Sequence, residues 1–317
     1  MMILRSRHRR LLGGLVLIVW VVMAPVAVQT DVGDAASRPS GVAATPAGEG
    51  YAHPEYLIEA GWLKEHLADP GLRLVGLTPR DAFAKGHIPG AAQIDWPDLS
   101  VTDTSDPSIA RWQGAVEGKL TALGVTRSQR IVIYDDGTLF AARLWWILDQ
   151  LGQANIGILN GGLAAWIAAN GTLETGPSRV SPADQPYRAT PRPELLAQLT
   201  EVHTALGDPR VALIDARSAK EYEAGHIPGA VDIEFTSNAL PVAPKYWKSA
   251  AVLRAAYEAE GVTTDKRVIP YCATGVRSAV TFFTLKLLGY GDVALYTGSW
   301  KEWSSHPELP RATGARP

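Results

Sequence analysis

Cys272 is the only cysteine of the chain, and it lies in the stretch YCATGVRSAV (271–280), between an apolar run and a helix-like run. Gly275 allows the loop after it to adopt backbone conformations that side chains forbid. Backbone N–H groups of residues 273–278 can curve around the sulfur at a helix N-terminus, and such a nest binds anions. Arg277 adds a positive charge at the rim. We therefore expect a reactive thiolate, with a pKa below the free value of about 8.5, and not a structural cysteine.

The sequence contains an internal duplication. GHIPGAAQID (86–95) recurs as GHIPGAVDIE (225–234), and YDDGTLFAARLWWILDQLG (134–152) aligns with YCATGVRSAVTFFTLKLLG (271–289). The copies are about 140 residues apart, which is the size of a domain and far longer than a solenoid period. The proline-rich stretch at 175–194 marks the boundary. We therefore predict two tandem domains of similar structure.

Each half alternates strands and helices, which is typical of a parallel α/β sheet with helices on both faces. The predicted strands are 72–77, 130–134, 156–162, 210–215, 267–271 and 293–298, and the predicted helices lie near 115–123, 139–151, 249–261 and 276–290. In an open parallel sheet, chemistry gathers at the carboxyl ends of the strands. Asp215 and Arg217 follow one strand end, so we expect them at the same sheet edge as Cys272.

Composition limits the remaining possibilities. The 317 residues suffice for two domains, and 46% hydrophobic with 20% charged residues indicates a globular protein. A net charge of −2 gives no basic surface for nucleic acid. A single cysteine excludes an internal disulfide, and the histidines never reach zinc-ligand spacing with it. Two halves that cover each other suggest a monomer.

The N-terminus has the layout of an export signal. Arginines between positions 5 and 10 precede the apolar run 11–28, and a small, polar stretch follows at 29–51. We favour a cleaved signal over a retained membrane anchor, because the run is at the lower limit for a span. In either case the positive flank stays inside, and the globular part is exported to the periplasm or another extracytoplasmic location. A retained segment would tether the protein to the membrane.

Four motifs together resemble the rhodanese family of sulfurtransferases, in the arrangement of its tandem, two-domain members. They are the repeated GHIPGA, the Asp-x-Arg of LIDAR (213–217), the loop CATGVR (272–277) and the closing GSWKEW (298–303). The resemblance covers about 52–309 and implies two rhodanese-like domains, each a parallel sheet flanked by helices. The predicted division is an export signal or anchor at 1–28, a flexible linker at 29–51, an inactive domain at 52–176, an inter-domain linker at 177–192, a catalytic domain at 193–309 and a tail at 310–317.

The resemblance implies sulfur transfer by double displacement, a form of covalent catalysis. Cys272 takes the outer sulfur of an anionic donor as a persulfide, and cyanide, a small thiol or a protein thiol accepts it. No metal or organic cofactor is needed. The loop that binds the donor and the persulfide comprises Ala273, Thr274, Gly275, Val276, Arg277 and Ser278.

Supporting roles follow for several other residues. Asp215 and Arg217 support the active site, either by direct substrate contact or as an internal salt bridge that braces the loop. Thr274 and Ser278 donate hydrogen bonds to the persulfide or cap the helix that follows. The closing motif is expected to close the fold and line the domain interface, through Gly298, Trp300 and Trp303.

The first half differs at the position of the nucleophile. Asp135 stands where Cys272 stands in the second half. A carboxylate cannot accept sulfur from a sulfane donor, so we expect the first domain to be inactive and to wall one side of the cleft. The GHIPGA motif carries a histidine in both halves, His87 in the first and His226 in the second. Because the half without the cysteine also has it, we favour a structural role for these histidines over that of a general base.

The identity of the sulfur donor stays open at this level. Mammalian thiosulfate-using members carry charged residues after the cysteine, where this chain has Ala273 and Thr274; mercaptopyruvate-using relatives end the loop in Thr, where this chain has Arg277. Thiosulfate is the expected donor, since Arg277 favours a compact dianion. The alternatives are 3-mercaptopyruvate and an exported sulfur carrier or scaffold with little turnover. A cysteine-dependent phosphatase needs Cys-x5-Arg and is disfavoured, because here only four residues separate Cys272 and Arg277.

Overall fold

The computed structural model describes residues 50–317. The first half contains strands β1 (Leu57–Ile58), β2 (Leu72–Leu77), β3 (Ala92–Ile94), β4 (Arg130–Tyr134) and β5 (Ile156–Leu159), with helices α1 (Ala60–His66), α2 (Arg80–Lys85), α3 (Asp106–Ala122), α4 (Ala141–Gln150) and α5 (Gly162–Ala168). The second half contains β6 (Val211–Asp215), β7 (Val231–Asp232) and β8 (Arg267–Tyr271), with α6 (Leu199–Thr204), α7 (Ala219–Ala224), α8 (Ala250–Ala259), α9 (Arg277–Leu288) and α10 (Ser299–Trp303). Short 3-10 helices lie at Pro54–Tyr56, Trp96–Leu99, Pro193–Leu195 and Phe235–Asn238.

The two halves repeat one sheet topology. The first sheet has the order β1-β5-β4-β2-β3 and the second the order β7-β6-β8, and all these neighbours run parallel. Isolated parallel bridges, Val268–Val293 and Leu196–Leu295, continue the second sheet beyond β8 in the same order. The predicted parallel α/β fold with an internal duplication is confirmed.

The segment 293–298, predicted as a strand, is joined to the sheet by isolated bridges only. The reason lies in Pro270 of β8. The Tyr296 N–H donates to the Pro270 carbonyl at 3.2 Å, but proline has no N–H to donate in return, so the ladder is interrupted. At the equivalent position of β4, Ile133 keeps its N–H, and there it pairs with Ile158 in a continuous strand.

Alternate residues of the central strands divide between two cores, as a period of two requires. In β4, Ile131 and Ile133 join a large core that contains residues of both halves. Val132 and Tyr134 join a smaller core confined to the first half. Strand β8 splits in the same way between the large core and a small core of the second half. Each sheet is therefore covered on both faces.

Helices α4 and α9 join the halves. All ten residues of α4 are buried, and so is most of α9. The Trp145 ring of α4 lies 5.0 Å from the Phe283 ring and 6.4 Å from the Phe282 ring of α9, between centroids. Helices with so many buried apolar residues have to be covered by other parts of the protein on almost every side. The packing of α4 on α9 thus makes the large core continuous across both halves.

The described parts of the segments predicted as linkers or tails contact the domains. The Tyr51 hydroxyl, at the end of the predicted flexible linker, donates a hydrogen bond to a main-chain carbonyl of the second half. The inter-domain linker at 177–192 packs on the first half, where the Tyr187 hydroxyl is hydrogen-bonded. Ala312, in the predicted tail at 310–317, forms a β-bridge with the GHIPGA motif of the second half. Tyr51 and Ala312 are therefore each hydrogen-bonded to the second half.

The predicted export signal or anchor at 1–28 lies outside the described residues. Across residues 50–317, no helix is long and apolar enough to cross a membrane. The same range holds no group of three or more His, Cys, Asp or Glu side chains arranged to bind a metal ion.

Truncation of Phe283 to alanine is expected to destabilise the whole chain. The side chain is fully buried and packs against Trp145 and Trp247, each at 5.0 Å. A cavity at such a site costs about 3–5 kcal/mol. Urea unfolding of Phe283→Ala, followed by circular dichroism, measures this loss of the free energy of unfolding.

The matched control is Val252→Ala on α8, where the side chain is 54% exposed. It should change the free energy of unfolding by less than about 0.5 kcal/mol. A loss below about 1 kcal/mol for Phe283→Ala would contradict the role assigned to the α4–α9 contact.

Candidate active site

Cys272 directly follows β8 and precedes α9, so it lies at the carboxyl end of a central strand. Its side chain is 1% exposed. The Cys272 N–H donates to the Ser299 hydroxyl oxygen at 3.2 Å, and the Cys272 carbonyl accepts from the Trp300 N–H at 2.9 Å. Helix α10 therefore holds the backbone on which the sulfur is carried.

The loop after the cysteine can close only with glycine at position 275. Gly275 has φ +80°, and a Cβ there would lie 2.7 Å from the carbonyl oxygen of Thr297. Within residues 50–317, the N–H groups of residues 274–278 form no hydrogen bond to another residue. Such free donors are usual in the first turn of a helix. The loop thus offers a row of N–H groups next to the cysteine.

The equivalent loop of the first half is closed by its own side chain. The two carboxyl oxygens of Asp135 accept hydrogen bonds from the N–H groups of Gly137 and Ala141, each at 2.8 Å. Burial raises the pKa of Asp135, and these hydrogen bonds act in the opposite direction. The backbone N–H groups of this loop are therefore bound by the Asp135 carboxyl group in the first half, whereas the equivalent N–H groups of the second half have no partner among residues 50–317.

Asp215 and Arg217 form a buried ion pair. The Arg217 Nη2 lies 2.6 Å from Asp215 Oδ2, and Nε lies 2.9 Å from Oδ1. Arg217 also donates to the Gly225 carbonyl at 2.6 Å, and its guanidinium lies 4.8 Å from the centroid of the Trp300 ring. Of the two roles that the sequence left open, these contacts are those of the internal salt bridge.

Arg277 is paired with Glu221, at 2.7 Å from each terminal nitrogen to a carboxylate oxygen. These hydrogen bonds are the main reason why the pKa of Arg277 is raised; burial opposes them, and the charge of Cys272 adds to them. The predicted positive charge at the rim is therefore neutralised in part. The sequence interpretation missed Glu221. The S-x-x-E spacing of Ser218 and Glu221 predicts the capping box that these two residues form.

Arg143 reaches the cysteine loop from the first half, and the sequence interpretation missed it. Its Nη1 donates to the Gly275 carbonyl at 3.2 Å and to the Thr297 hydroxyl at 3.0 Å, and its Nη2 donates to the Leu99 carbonyl at 3.0 Å. The signal was present in the sequence. Arg143 is a lone cation within the otherwise apolar run AARLWWIL.

The predicted helix cap by Thr274 or Ser278 is wrong. Helix α9 begins at Arg277 after Val276, without a capping hydrogen bond from a side chain. Among the described residues, the buried Ser278 hydroxyl has no hydrogen-bond partner. The alternative role, donation to sulfur held on the cysteine, stays a prediction for both hydroxyl groups.

The two histidines of the GHIPGA motifs make equivalent contacts. The His226 Nδ1 lies 2.9 Å from the Tyr222 carbonyl, and its ring stacks on the Tyr222 ring at 3.7 Å. His87 has the same arrangement with Phe83, at 2.9 Å and 3.8 Å. Both rings are thus held by the turn that precedes them, as the structural interpretation predicted.

The closing motif lines the domain interface through Glu302 and not through its tryptophans. Trp303 lies in the small core of the second half. The Glu302 carboxylate accepts hydrogen bonds from the Thr104 N–H at 2.6 Å and from the Thr104 hydroxyl. A Cβ on Gly298 would overlap this carboxylate, at 1.8 Å. The prediction that Trp303 lines the interface is wrong.

Comparison with known proteins agrees with this geometry. The model of the rhodanese-like domain family matches the chain twice, at residues 59–169 and 198–306. The sulfur carrier protein TtuD of Thermus thermophilus is 35% identical over 292 residues, which cover 84% of this chain and 99% of that protein. The thiosulfate sulfurtransferase of Azotobacter vinelandii is 35% identical over 263 residues, which cover 80% of this chain and 96% of that protein.

A solved structure shows the same likeness. The crystal structure of SseA from Escherichia coli, a 3-mercaptopyruvate sulfotransferase, is 32% identical and has a TM-score of 0.68; the match covers 77% of this chain and 98% of that chain. The chain therefore belongs to the rhodanese family and is a sulfurtransferase with two rhodanese-like domains in tandem.

Proposed function

We propose that Cys272 is the sulfur-carrying residue, and that the chain moves sulfane sulfur from thiosulfate to cyanide or a thiol. One observation carries the proposal. The buried Cys272 stands directly before α9, next to backbone N–H groups that have no partner among residues 50–317, and Arg143 donates to the Gly275 carbonyl of the same loop. A row of unpaired N–H groups at a helix N-terminus binds anions, as both the donor and the persulfide would be.

The reaction divides into two displacements. The Cys272 thiolate attacks the outer sulfur of thiosulfate, a sulfur–sulfur bond forms, and the bond to the inner sulfur breaks. Sulfite leaves with the electron pair of the broken bond, and a persulfide anion remains on the cysteine. Cyanide then attacks the terminal sulfur, leaves as thiocyanate and restores the thiolate. No proton needs to be stored between the two steps.

The loop donors fit the charge that both steps involve. Within the part of the chain that the structure describes, the N–H groups of residues 274–278 have no hydrogen-bond partner, and α9 directs the positive end of its dipole at the cysteine. Donors fixed in place stabilise charge without reorganisation. The loop would thus bind the anionic donor first and the persulfide afterwards.

The choice of donor rests on relatives and on Arg277. The Azotobacter vinelandii relative is named for thiosulfate, and the Escherichia coli structure for 3-mercaptopyruvate. Glu221 accepts one hydrogen bond from each terminal nitrogen of Arg277, so further N–H groups of the guanidinium stay available to an anion. We propose thiosulfate as the donor, with 3-mercaptopyruvate as the alternative.

The first half would act as a wall of the site and as a support. Asp135 holds the position of the nucleophile there, and its carboxyl group already occupies the loop donors. A carboxyl oxygen does not take sulfur from a sulfane donor. Arg143 and Thr104 extend from this half to the cysteine loop and to Glu302.

Intact mass measures sulfur loading directly. Incubation with thiosulfate should add the mass of one sulfur atom to the wild type and nothing to Cys272→Ser, and cyanide should remove it as thiocyanate. Because the chain has a single cysteine, the serine variant is a complete control.

The same measurement separates the donors. Loading from 3-mercaptopyruvate without loading from thiosulfate would show that the proposed donor is wrong while the nucleophile is right. Loading from neither would contradict sulfur transfer through Cys272 and favour a carrier or scaffold that needs a protein partner.

Glu221→Gln should remove a contribution to stability that depends on pH. The hydrogen bonds from Arg277 lower the pKa of Glu221 to about 2. Its stabilising effect is therefore fully present above the unfolded pKa of about 4.5 and is lost as the pH falls towards about 2. With the Glu221 side chain 39% exposed, solvent screening limits the effect at pH 7 to about 1 kcal/mol or less.

Urea unfolding of wild type and Glu221→Gln at several pH values tests this. The difference between the two proteins should shrink as the pH falls below about 4.5. Glu223→Gln, at an exposed position on the same helix, should show no such trend. A constant difference across the series would show that Glu221 does not act through its charge.

We also propose that the globular part is exported, on the basis of the arginines and the apolar run at 1–28. Expression of the full chain and of a chain lacking residues 1–28, followed by fractionation of a bacterial host, tests this. The full chain should appear in the periplasmic or membrane fraction and the shortened chain in the cytoplasm. Equal distribution of the two would contradict export.

A further inference from the structure

Arg143 is a charged side chain that the duplicated fold does not require. It lies in the first turn of α4 and is fully buried. The alignment of the two halves places Val280 of α9 at the equivalent position. An apolar residue therefore suffices there in one half, and the charge in the other half needs a separate reason.

The surroundings of Arg143 contain neutral acceptors. Its terminal nitrogens donate to the carbonyls of Gly275 and Leu99 and to the Thr297 hydroxyl, at 3.0–3.2 Å. Its Nε has no hydrogen-bond partner among residues 50–317. In the same range no carboxylate lies within salt-bridge distance of it. A buried cation is unfavourable unless an anion compensates it.

Among residues 50–317, the ionisable group that acts on Arg143 is Cys272, three residues before the Gly275 carbonyl to which Arg143 donates. Burial lowers the pKa of Arg143 to about 9, and the charge of Cys272 acts in the opposite direction. The other guanidinium on which this sulfur acts is that of Arg277, on α9. Glu221 of α7 already pairs with Arg277, at 2.7 Å. In the described part of the chain, Arg143 is therefore the cation at the cysteine loop that no carboxylate neutralises.

We propose that Arg143, supplied by the half that lacks a cysteine, is the counter-ion of the anionic sulfur on Cys272. The inference rests on the proposed function, in which Cys272 carries a thiolate and then a persulfide. Arg143 is a positioning residue, because it acts through the Gly275 carbonyl and through its charge and not by contact with the donor. The sulfur keeps one negative charge in both states, so the buried cation stays compensated between the two displacements.

The pH dependence of Cys272 alkylation by iodoacetamide tests the proposal in the full chain. Since Cys272 is the only cysteine, the reaction reports on this sulfur alone. Arg143→Met should move the pH midpoint of the alkylation rate upward by about one unit, because an opposite charge favours the ionised sulfur. Arg143→Lys keeps the charge and should stay close to the wild-type midpoint. Sulfur loading from thiosulfate should slow about tenfold in the methionine variant.

Arg127→Met is the matched control. Arg127 donates to the Leu151 carbonyl at 2.9 Å, at the other end of α4. Leu151 lies eight positions after Arg143 in the sequence, or roughly 12 Å along the helix axis. Loss of this arginine removes a similar hydrogen bond from the same helix and should leave the alkylation midpoint unchanged. Thermal unfolding shows which variants are folded.

The outcomes separate this inference from the proposed function. A folded Arg143→Met with the wild-type alkylation midpoint overturns the counter-ion proposal. Where the methionine variant does not fold, Arg143→Lys decides, since a midpoint shifted by about one unit despite the retained charge also overturns it. A shifted midpoint in Arg143→Met, together with a wild type that never gains sulfur, supports the counter-ion and contradicts sulfur transfer through Cys272.

Discussion

The contact between α4 and α9 is the constraint on which the site depends. Each of these helices starts directly after the loop that ends a central strand, and neither has a broad face left for solvent. The Trp145 and Phe283 rings meet across the contact at 5.0 Å. Because the helices cover each other, the loop of the second half is fixed relative to the first turn of α4. The placement of Arg143 beside Gly275 follows from that packing.

The duplication supplies two loops of one origin that satisfy their helix donors differently. In the first half, the carboxyl group of Asp135 accepts from two backbone N–H groups and so fills the nest. In the second half, Cys272 stands at this position, and no residue of the described range 50–317 accepts a hydrogen bond from the equivalent donors. A sulfur atom has weaker acceptor character than a carboxylate, so an anion that arrives with the substrate does not compete with a strong internal acceptor. The loss of cysteine in one half and the open loop in the other thus have one physical basis.

The features that depend on local residue patterns could be predicted from the sequence. The duplication, the parallel strands, the cysteine loop and the need for Gly275 all follow from periodicity, repeats and backbone sterics. The sequence did not predict contacts between residues that are far apart along the chain. Glu221 lies 56 residues from Arg277, and Arg143 lies 132 residues from Gly275. The segment 293–298, predicted as a strand, does not form a continuous strand, because Pro270 in the neighbouring strand interrupts the hydrogen-bond ladder.

Charge balance shows why the number of arginines near the site says little about donor binding. Asp215 neutralises Arg217, and Glu221 neutralises Arg277 in part. That leaves Arg143, whose buried charge is compensated when the sulfur of Cys272 is anionic. Thiosulfate, the proposed donor, would therefore enter a site in which each of these cations already has a partner. Its additional charge would fall on the N–H groups of residues 274–278, which no described residue accepts from, and on the dipole of α9, and these neutral groups would need no counter-ion after sulfite leaves.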